Sequence, residues 1–427
     1  MVQWWTAALL LGAAISPSLA INTRAPFGKR APSPDVVTNN IVPLRKVKVP
    51  TTIRSAGRRK RLNPRSTNTT GTTSIRNYYQ LNYVAEMQWG NKTMYMILDT
   101  GSSDTWVLRT GYECLDSNGA PTNQTDCTTI APTFSGDYTG GQIDNVNFYA
   151  AYGSGMVTGT FGWEGITIAG LTVPNAQVAV VDQAFFEVYN ASGIFGLAFQ
   201  SLTSEYPGSN SSQHPSKQRI NYEPIFYRMV DQGLSLPTFT FAPQRGGDNG
   251  YLAFGGIPPV NTTGPTVALP ILTTNATKSK PTINQGDYYT ISVDNVIYGS
   301  NGTTKSYGSS IQAIMDTGTS GLYLPNDLIT SIANSFTPPA RYQNSSSAYS
   351  VPCNATAPKV AFTLGGVNFN ITSTDLISAL TDSNTGHCLL FLFDGGSDGY
   401  ILGDSLLNNL LTTFDLGAME LRVTALA

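Results

Sequence analysis

The 427-residue sequence predicts an all-β fold built as two related lobes, and three observations carry that prediction. After Leu62, short runs rich in Val, Ile, Tyr, Phe and Thr alternate with clusters of Gly, Asn, Asp and Ser, the pattern of a turn-rich β protein. Only 12% of residues are charged, against about 25% in a typical soluble protein, so Ser, Thr, Asn and Gln must supply the polar surface. That balance excludes a disordered chain or a nucleic-acid binder, both of which need many charges. Finally, one stretch occurs twice: Met96-Ile97-Leu98-Asp99-Thr100-Gly101-Ser102-Ser103 recurs as Ala313-Ile314-Met315-Asp316-Thr317-Gly318-Thr319-Ser320.

Taken in chain order, residues 1–20 read as a secretory signal. An apolar run from Ala7 to Ile15 precedes Ser16-Pro17 and the small-residue site Ser18-Leu19-Ala20, although no Lys or Arg stands ahead of the run. The run is too short to span a bilayer; its alternative reading is a buried helix. Residues 21–61 follow as a basic propeptide. Eleven of the 25 Lys and Arg lie between Arg24 and Arg61, where Asp35 is the single acid. From Leu62 onward fourteen basic and 26 acidic residues remain, a net charge of −12, so the overall charge of −2 conceals a basic leader and an acidic body. Lys29-Arg30 and Arg58-Arg59-Lys60-Arg61 have the form of dibasic processing sites, which predicts a mature start near Leu62. A nuclear-localisation or nucleic-acid-binding arm is the alternative, and a secretory signal opposes it.

Eleven Asn-x-Ser/Thr sequons, at Asn68, Asn91, Asn123, Asn190, Asn210, Asn261, Asn275, Asn301, Asn344, Asn354 and Asn370, suit a secreted, extracellular glycoprotein. Four cysteines are too few for a disulfide scaffold; in an oxidising compartment they form two bridges in one of three pairings, and proximity favours Cys114–Cys127 with Cys353–Cys388. No Cys-x-x-Cys or His-rich spacing occurs, so no metal site and no cofactor is expected.

Within the body, strands are expected at Thr93–Leu98, Gln177–Val181, Thr238–Ala242, Tyr288–Val293 and Lys359–Leu364. Helical spacing appears at Tyr222–Gln232, which stops at Gly233, at Asn326–Phe336 with Asn326 as cap, and at Thr374–Leu380. The repeat places residues 62–255 and 256–427 in separate lobes, with the cleft near Gly255-Gly256. Each Asp-Thr-Gly is followed by an apolar strand, Thr105-Trp106-Val107-Leu108 or Leu322-Tyr323-Leu324, and later by Ile194-Phe195-Gly196 or Ile401-Leu402-Gly403. One Asp-Thr-Gly alone reads equally well as a β-turn; two copies in register with other repeated parts do not.

On these motifs the chain resembles the pepsin-like aspartic endopeptidases over residues 75–427. The resemblance implies a bilobal, pseudo-two-fold, all-β acid protease fold with Asp99 and Asp316 as the catalytic pair. Two buried carboxyls brought together cannot both ionise comfortably, so they share a proton. The ionised member would take a proton from water, which attacks the peptide carbonyl while the protonated member polarises its oxygen. By the same resemblance Thr100 and Thr317 interlock across the pseudo-dyad, Ser102 and Thr319 bond the outer carboxylate oxygens, and Gly101 and Gly318 let the chain turn tightly. Ala150-Ala151-Tyr152-Gly153-Ser154-Gly155 matches the family's flap, with Tyr152 over the scissile bond and Trp106 holding its hydroxyl. Ile97, Tyr152 and Phe185 would line the first acyl-side pocket, which implies large hydrophobic residues around the cut, and Ser154 supplies no carboxylate to attract Lys.

The sequence departs from the family at Ser192, where many relatives carry Asp, and in its longer Cys114–Cys127 loop; both bear on subsite shape. Ile41-Val42-Pro43-Leu44-Arg45-Lys46-Val47-Lys48 resembles the family's inhibitory propeptide segment, with Lys46 or Lys48 facing the dyad. Substrates would therefore be proteins or peptides, and the leader an intramolecular inhibitor of a monomer. No hydrophobic tail follows the last strand, so no membrane anchor is expected. Two hydrolase look-alikes, Gly395-Gly396-Ser397-Asp398-Gly399 and Gly403-Asp404-Ser405-Leu406, have no His downstream and read as a turn and a short helix. The rival function is a catalytically inactive pepsin-like binding or inhibitor protein; retention of both Asp, both Gly and Tyr152 argues against it.

Overall fold

The structure, a computed structural model, describes residues 37–38, 40–46, 83–116, 118–123, 127, 129, 131–153, 155–185, 191–209, 218–243, 249–272, 288–300, 302–396 and 399–427. The signal segment, the dibasic clusters and the predicted mature start lie outside them.

Strands dominate. In the first half they are β1 (Ile41–Lys46), β2 (Tyr83–Trp89), β3 (Lys92–Asp99), β4 (Thr105–Cys114), β5 (Val146–Tyr152), β6 (Gly155–Ile168), β7 (Leu171–Phe185) and β8 (Gly193–Gly196). β3 runs parallel to β8, β8 antiparallel to β4, and β4 parallel to β7. The second half repeats that arrangement with Ile311–Met315 parallel to Tyr400–Leu402, which is antiparallel to Leu322–Leu324, itself parallel to Leu392–Asp394. The sequence repeat is thus a repeat of strand order and direction. Gly196 and Gly403 are needed where these strands pass the dyad turns, because a Cβ would sit 2.3 Å from the Ser103 carbonyl carbon or 2.0 Å from the Thr319 oxygen.

A continuous 14-stranded sheet joins these eight strands and the short strand Glu205–Pro207 to Thr238–Pro243, Asn249–Phe254, Thr262–Pro270, Leu410–Asp415 and Glu420–Leu426. Aromatic rings fill the space behind it: Phe239 stacks on Phe414 at 4.7 Å between centroids, Tyr289 meets Phe414 at 4.8 Å, and Phe199 meets Tyr289 at 4.8 Å. The Tyr289 hydroxyl satisfies itself by donating to the Leu197 carbonyl at 2.7 Å, so one ring joins the two halves both by burial and by a hydrogen bond.

β1, drawn from the leader, is a member of this sheet. It pairs antiparallel with Asn249–Phe254 on one edge and with β2 on the other, and buries Val42 and Leu44 in the central core. The side chain of Lys46, and Lys48 entirely, fall outside the described residues.

All five expected strands are present, with Tyr288–Val293 shortened to Thr290–Val293. Of the expected helices, Ile225–Asp231 begins after Pro224 and ends before Gly233, whose φ is +70°. Asn326–Ala333 has Pro325 in the N-cap position with no side-chain cap bond, and Asn326 is its first helical residue. The third is a correction: Thr374–Leu380 forms a 3-10 turn at Ser373–Asp375 and a strand at Ile377–Thr381. That strand pairs with Cys388–Leu390, so tertiary pairing overrides the local helical spacing. Disulfides join Cys114 to Cys127 and Cys353 to Cys388. Asn91, Asn123, Asn261, Asn344, Asn354 and Asn370 are exposed; the other five sequons lie outside the described residues.

Candidate active site

β3 and Ile311–Met315 deliver Asp99 and Asp316 to one point, each at the end of a strand that packs into the core. The turns after them have matching partners. Gly101 N–H donates to Asp99 Oδ1 at 2.8 Å and Gly318 N–H to Asp316 Oδ1 at 2.9 Å. Ser102 Oγ donates to Asp99 Oδ2, and Thr319 Oγ1 to Asp316 Oδ2 at 2.6 Å. Each carboxyl therefore has two donors from its own turn.

The halves interlock through their threonines. Thr100 N–H donates to Thr317 Oγ1 at 3.2 Å and Thr317 N–H to Thr100 Oγ1 at 3.0 Å. Each hydroxyl then donates across the interface at 2.9 Å, Thr100 to the Met315 carbonyl and Thr317 to the Leu98 carbonyl. These four buried bonds leave the turns little freedom to separate, since breaking one would orphan a buried polar group.

The glycines lie in the tight turns expected from the sequence and have a second role there. Neither Gly101 nor Gly318 has a positive φ. A Cβ on Gly101 would instead lie 2.8 Å from Asp316 Oδ2, and one on Gly318 would lie 2.5 Å from Asp99 Oδ1. Each glycine makes room for the carboxyl of the other half. Burial, reinforced by the negative charge of Asp316, pushes the Asp99 carboxyl up to about 7.

Over this pair, β5 and β6 form a hairpin whose last pair is Tyr152 with Gly155, around Gly153; Ser154 lies outside the described residues. Trp106 Nε1 donates to the Tyr152 hydroxyl at 2.7 Å. Ile97 and Trp106 belong to an apolar cluster with Phe148, Ala150 and Val157 of the hairpin, and Tyr152 packs on it. Phe185 stands opposite Met156 near the hairpin tip, partly exposed and outside that cluster. Ser192 is a buried tie between strands. It is fully buried, accepts from Tyr95 N–H at 3.0 Å through Oγ, and ties β3 to β4 through its own backbone.

One feature escaped the sequence reading. Asp104, just past the first turn, is buried and accepts from the Ser204 amide at 3.0 Å and the Tyr222 hydroxyl at 2.7 Å. Burial raises its carboxyl above the usual range. An acid at the start of an apolar strand is the signal that could have marked it. Among the described residues no cluster of His, Cys, Asp and Glu could hold a metal ion, and no helix is long and apolar enough to cross a membrane.

Comparison with known proteins agrees with this geometry. The eukaryotic aspartyl protease family profile matches residues 82–426. A probable aspartic-type endopeptidase of Aspergillus fumigatus is 35% identical, over 81% of this chain and 79% of its own length. Gastricsin of Mus musculus is 26% identical over 80% of each chain, and rhizopuspepsin-2 of Rhizopus niveus 25% over 86% and 84%. The crystal structure of the aspartic proteinase from Irpex lacteus shares the fold, with a TM-score of 0.59 and 20% identity, over 81% of this chain and 94% of that one. With its two related lobes, crossed threonines and family-wide match, the chain belongs to the eukaryotic aspartyl proteases, the pepsin-like endopeptidases that hydrolyse peptide bonds.

Proposed function

We propose that Asp99 and Asp316 carry out the hydrolysis, in a secreted enzyme that works in acid. The observation that carries this reading is the cross-packing of the two carboxyls against each other's glycine. Two acids held that closely retain one proton between them, so one carboxylate serves as base and one carboxylic acid as donor. The base removes a proton from water; the resulting hydroxide adds to the peptide carbonyl, whose oxygen the acid protonates. Collapse of the tetrahedral intermediate breaks the C–N bond and returns a proton to the leaving nitrogen. The proton belongs to the pair and not to one residue. Thr100, Gly101, Ser102, Thr317, Gly318 and Thr319 hold the pair in place, while Tyr152 at the hairpin, tethered by Trp106, closes over the substrate.

Ile97, Tyr152 and Phe185 form the first acyl-side pocket, which selects large hydrophobic residues beside the cut. Residues 62–255 and 256–427 are the lobes. The signal segment, the exposed sequons and the disulfides suit a secreted glycoprotein. Residues 21–61 act as a removable inhibitor of a monomeric zymogen; the place of β1 within the central sheet supports a leader that folds together with the body.

The test is cleavage of a denatured protein substrate by the processed chain across pH 3–8, with and without pepstatin. The expected result is pepstatin-sensitive activity that falls as pH rises toward 7, and its loss by about 10⁴-fold or more in Asp99→Asn and Asp316→Asn. Substantial activity in either variant would refute the assignment.

A further inference from the structure

Of the exposed sequon asparagines, Asn344 stands at the head of a hairpin loop that the fold holds in one shape. Arg341–Gln343 and Ala348–Val351 run antiparallel, Gln343 pairing with Ala348 and Tyr342 with Tyr349. Residues 344–347 connect them, and Ser347 turns the chain back with a φ of +52°. Ser345 Oγ pins the loop by donating to Asp382 Oδ2 at 2.8 Å; Asp382 is buried and also accepts the Asn384 and Thr385 amides and the Thr385 hydroxyl. Asn344 is thereby left exposed on a fixed turn, with Ser346 completing its sequon.

Residues two apart along a strand face the same way, about 6.6 Å from each other. Tyr342 stands two before Asn344 and is 54% exposed; no other aromatic ring among the described residues is exposed. The ring is held in place. Tyr349 meets it at 5.4 Å between centroids and 76° between planes, and the Tyr349 hydroxyl lies 3.2 Å from Thr330 Oγ1 of the helix Asn326–Ala333. The Ser346 hydroxyl is buried with no hydrogen-bond partner among the described residues. Such a group costs the fold stability, whereas the enzyme that reads a sequon requires it. Asn91 also has an aromatic residue two positions before it, Trp89, but that ring is buried in the central core.

We propose that Asn344 carries an N-glycan whose first N-acetylglucosamine lays its apolar C–H face on the Tyr342 ring. This rests on the secreted-glycoprotein reading above and names the site and its contact. In the transfer, Asn344 Nδ2 loses a proton and forms a bond to C1 of the sugar, while the C1–O bond to a lipid-linked diphosphate donor breaks and the diphosphate leaves with the electron pair. Once attached, the sugar covers an aromatic surface that is otherwise in water, and the covalent link spares the contact the entropy of bringing two molecules together. Arg341–Gln343 is the edge strand of its four-stranded sheet. A sugar seated there blocks that edge, with its exposed Tyr342, from pairing with another chain.

The experiment uses the full chain secreted from a eukaryotic host. Glycopeptide mass spectrometry reads the occupancy of each sequon, and release of each glycan from the native protein by a peptide N-glycosidase is timed in wild type, Tyr342→Ala, Tyr342→Thr and Tyr342→Phe. Asn344 is occupied in wild type. Its glycan leaves about tenfold faster in Tyr342→Ala and Tyr342→Thr, where the ring that shields the first sugar is gone, and within about twofold of wild type in Tyr342→Phe, which keeps the ring. Release at the other occupied sequons stays within about twofold throughout. Tyr342→Thr suits a strand, so it reports even where Tyr342→Ala fails to fold. An unoccupied Asn344 beside other occupied sequons overturns the site, and equal release rates at Asn344 in wild type and both ring-less variants overturn the contact. Carbohydrate at no sequon at all would instead overturn the secreted-glycoprotein reading itself.

Discussion

A methyl group at Gly318 would fall 2.5 Å from Asp99 Oδ1, and one at Gly101 2.8 Å from Asp316 Oδ2; real Cβ atoms do not approach so closely, so the carboxyl must move. Displacements of about 1 Å cost on the order of 100-fold in rate. Gly318→Ala should therefore lower kcat by about that factor without unfolding the chain, because the Thr100–Thr317 bonds remain. Stopped assays beside a thermal melt check this; wild-type kcat in a folded Gly318→Ala enzyme would refute it. The two aspartates were legible in the sequence because the whole octapeptide recurs. The reason for the glycines was not, since it depends on contacts between residues more than 200 positions apart. Asp104 was missed for the same cause: its partners Ser204 and Tyr222 lie 100 and 118 residues away.

Among the elements, strands with local signals were recognisable, while those defined by distant pairing were not. Thr93–Leu98 reads as a strand by composition alone and forms most of β3. Thr374–Leu380 has helical spacing, yet Ile377–Thr381 answers to the disulfide-bearing strand Cys388–Leu390 across from it. β1 is the most consequential case, because nothing local in Ile41–Lys46 says that it will sit between Asn249–Phe254 and β2. Leu44 is buried there, 1% exposed, facing the central core. A carboxylate in that place would be buried without a partner at a cost of several kcal/mol. In a precursor whose Arg58–Arg61 cluster is mutated to prevent processing, Leu44→Asp should loosen the leader and raise peptidase activity at pH 5 by at least about tenfold over the same precursor with Leu44. The assay is hydrolysis of a small fluorogenic peptide; equal activity in the two precursors would show that β1 does not restrain the site.

For the molecule as a whole, the low charge density acquires a physical meaning through its buried acids. Burial is the first cause that raises Asp99, Asp104, Glu205, Glu223 and Asp415, with Asp99 and Glu223 reaching about 7. Asp116 and Asp382 run the other way. Backbone amides of Ala120 and Asn118 lower Asp116, and at Asp382 burial, which raises it, is outweighed by hydrogen bonds from Ser345 and Thr385. Raised carboxyls hold protons in the folded state that the unfolded chain releases near 3.8 to 4.5. Their contribution to stability is complete below those values and is lost as pH rises through the folded values, which for Asp99 and Glu223 means through about 7 and for Asp104, Glu205 and Asp415 through their own raised values. The five raised groups outnumber the two lowered ones, so the net slope runs downward between pH 4 and pH 7. Measured on the processed Asp316→Asn chain, in which self-digestion cannot interfere, Tm should fall by roughly 5–10 °C between pH 4 and pH 7.5. A Tm that is flat or rising over that interval would mean that these acids are ionised in the folded protein, and that acid conditions serve the dyad chemistry alone and not the fold.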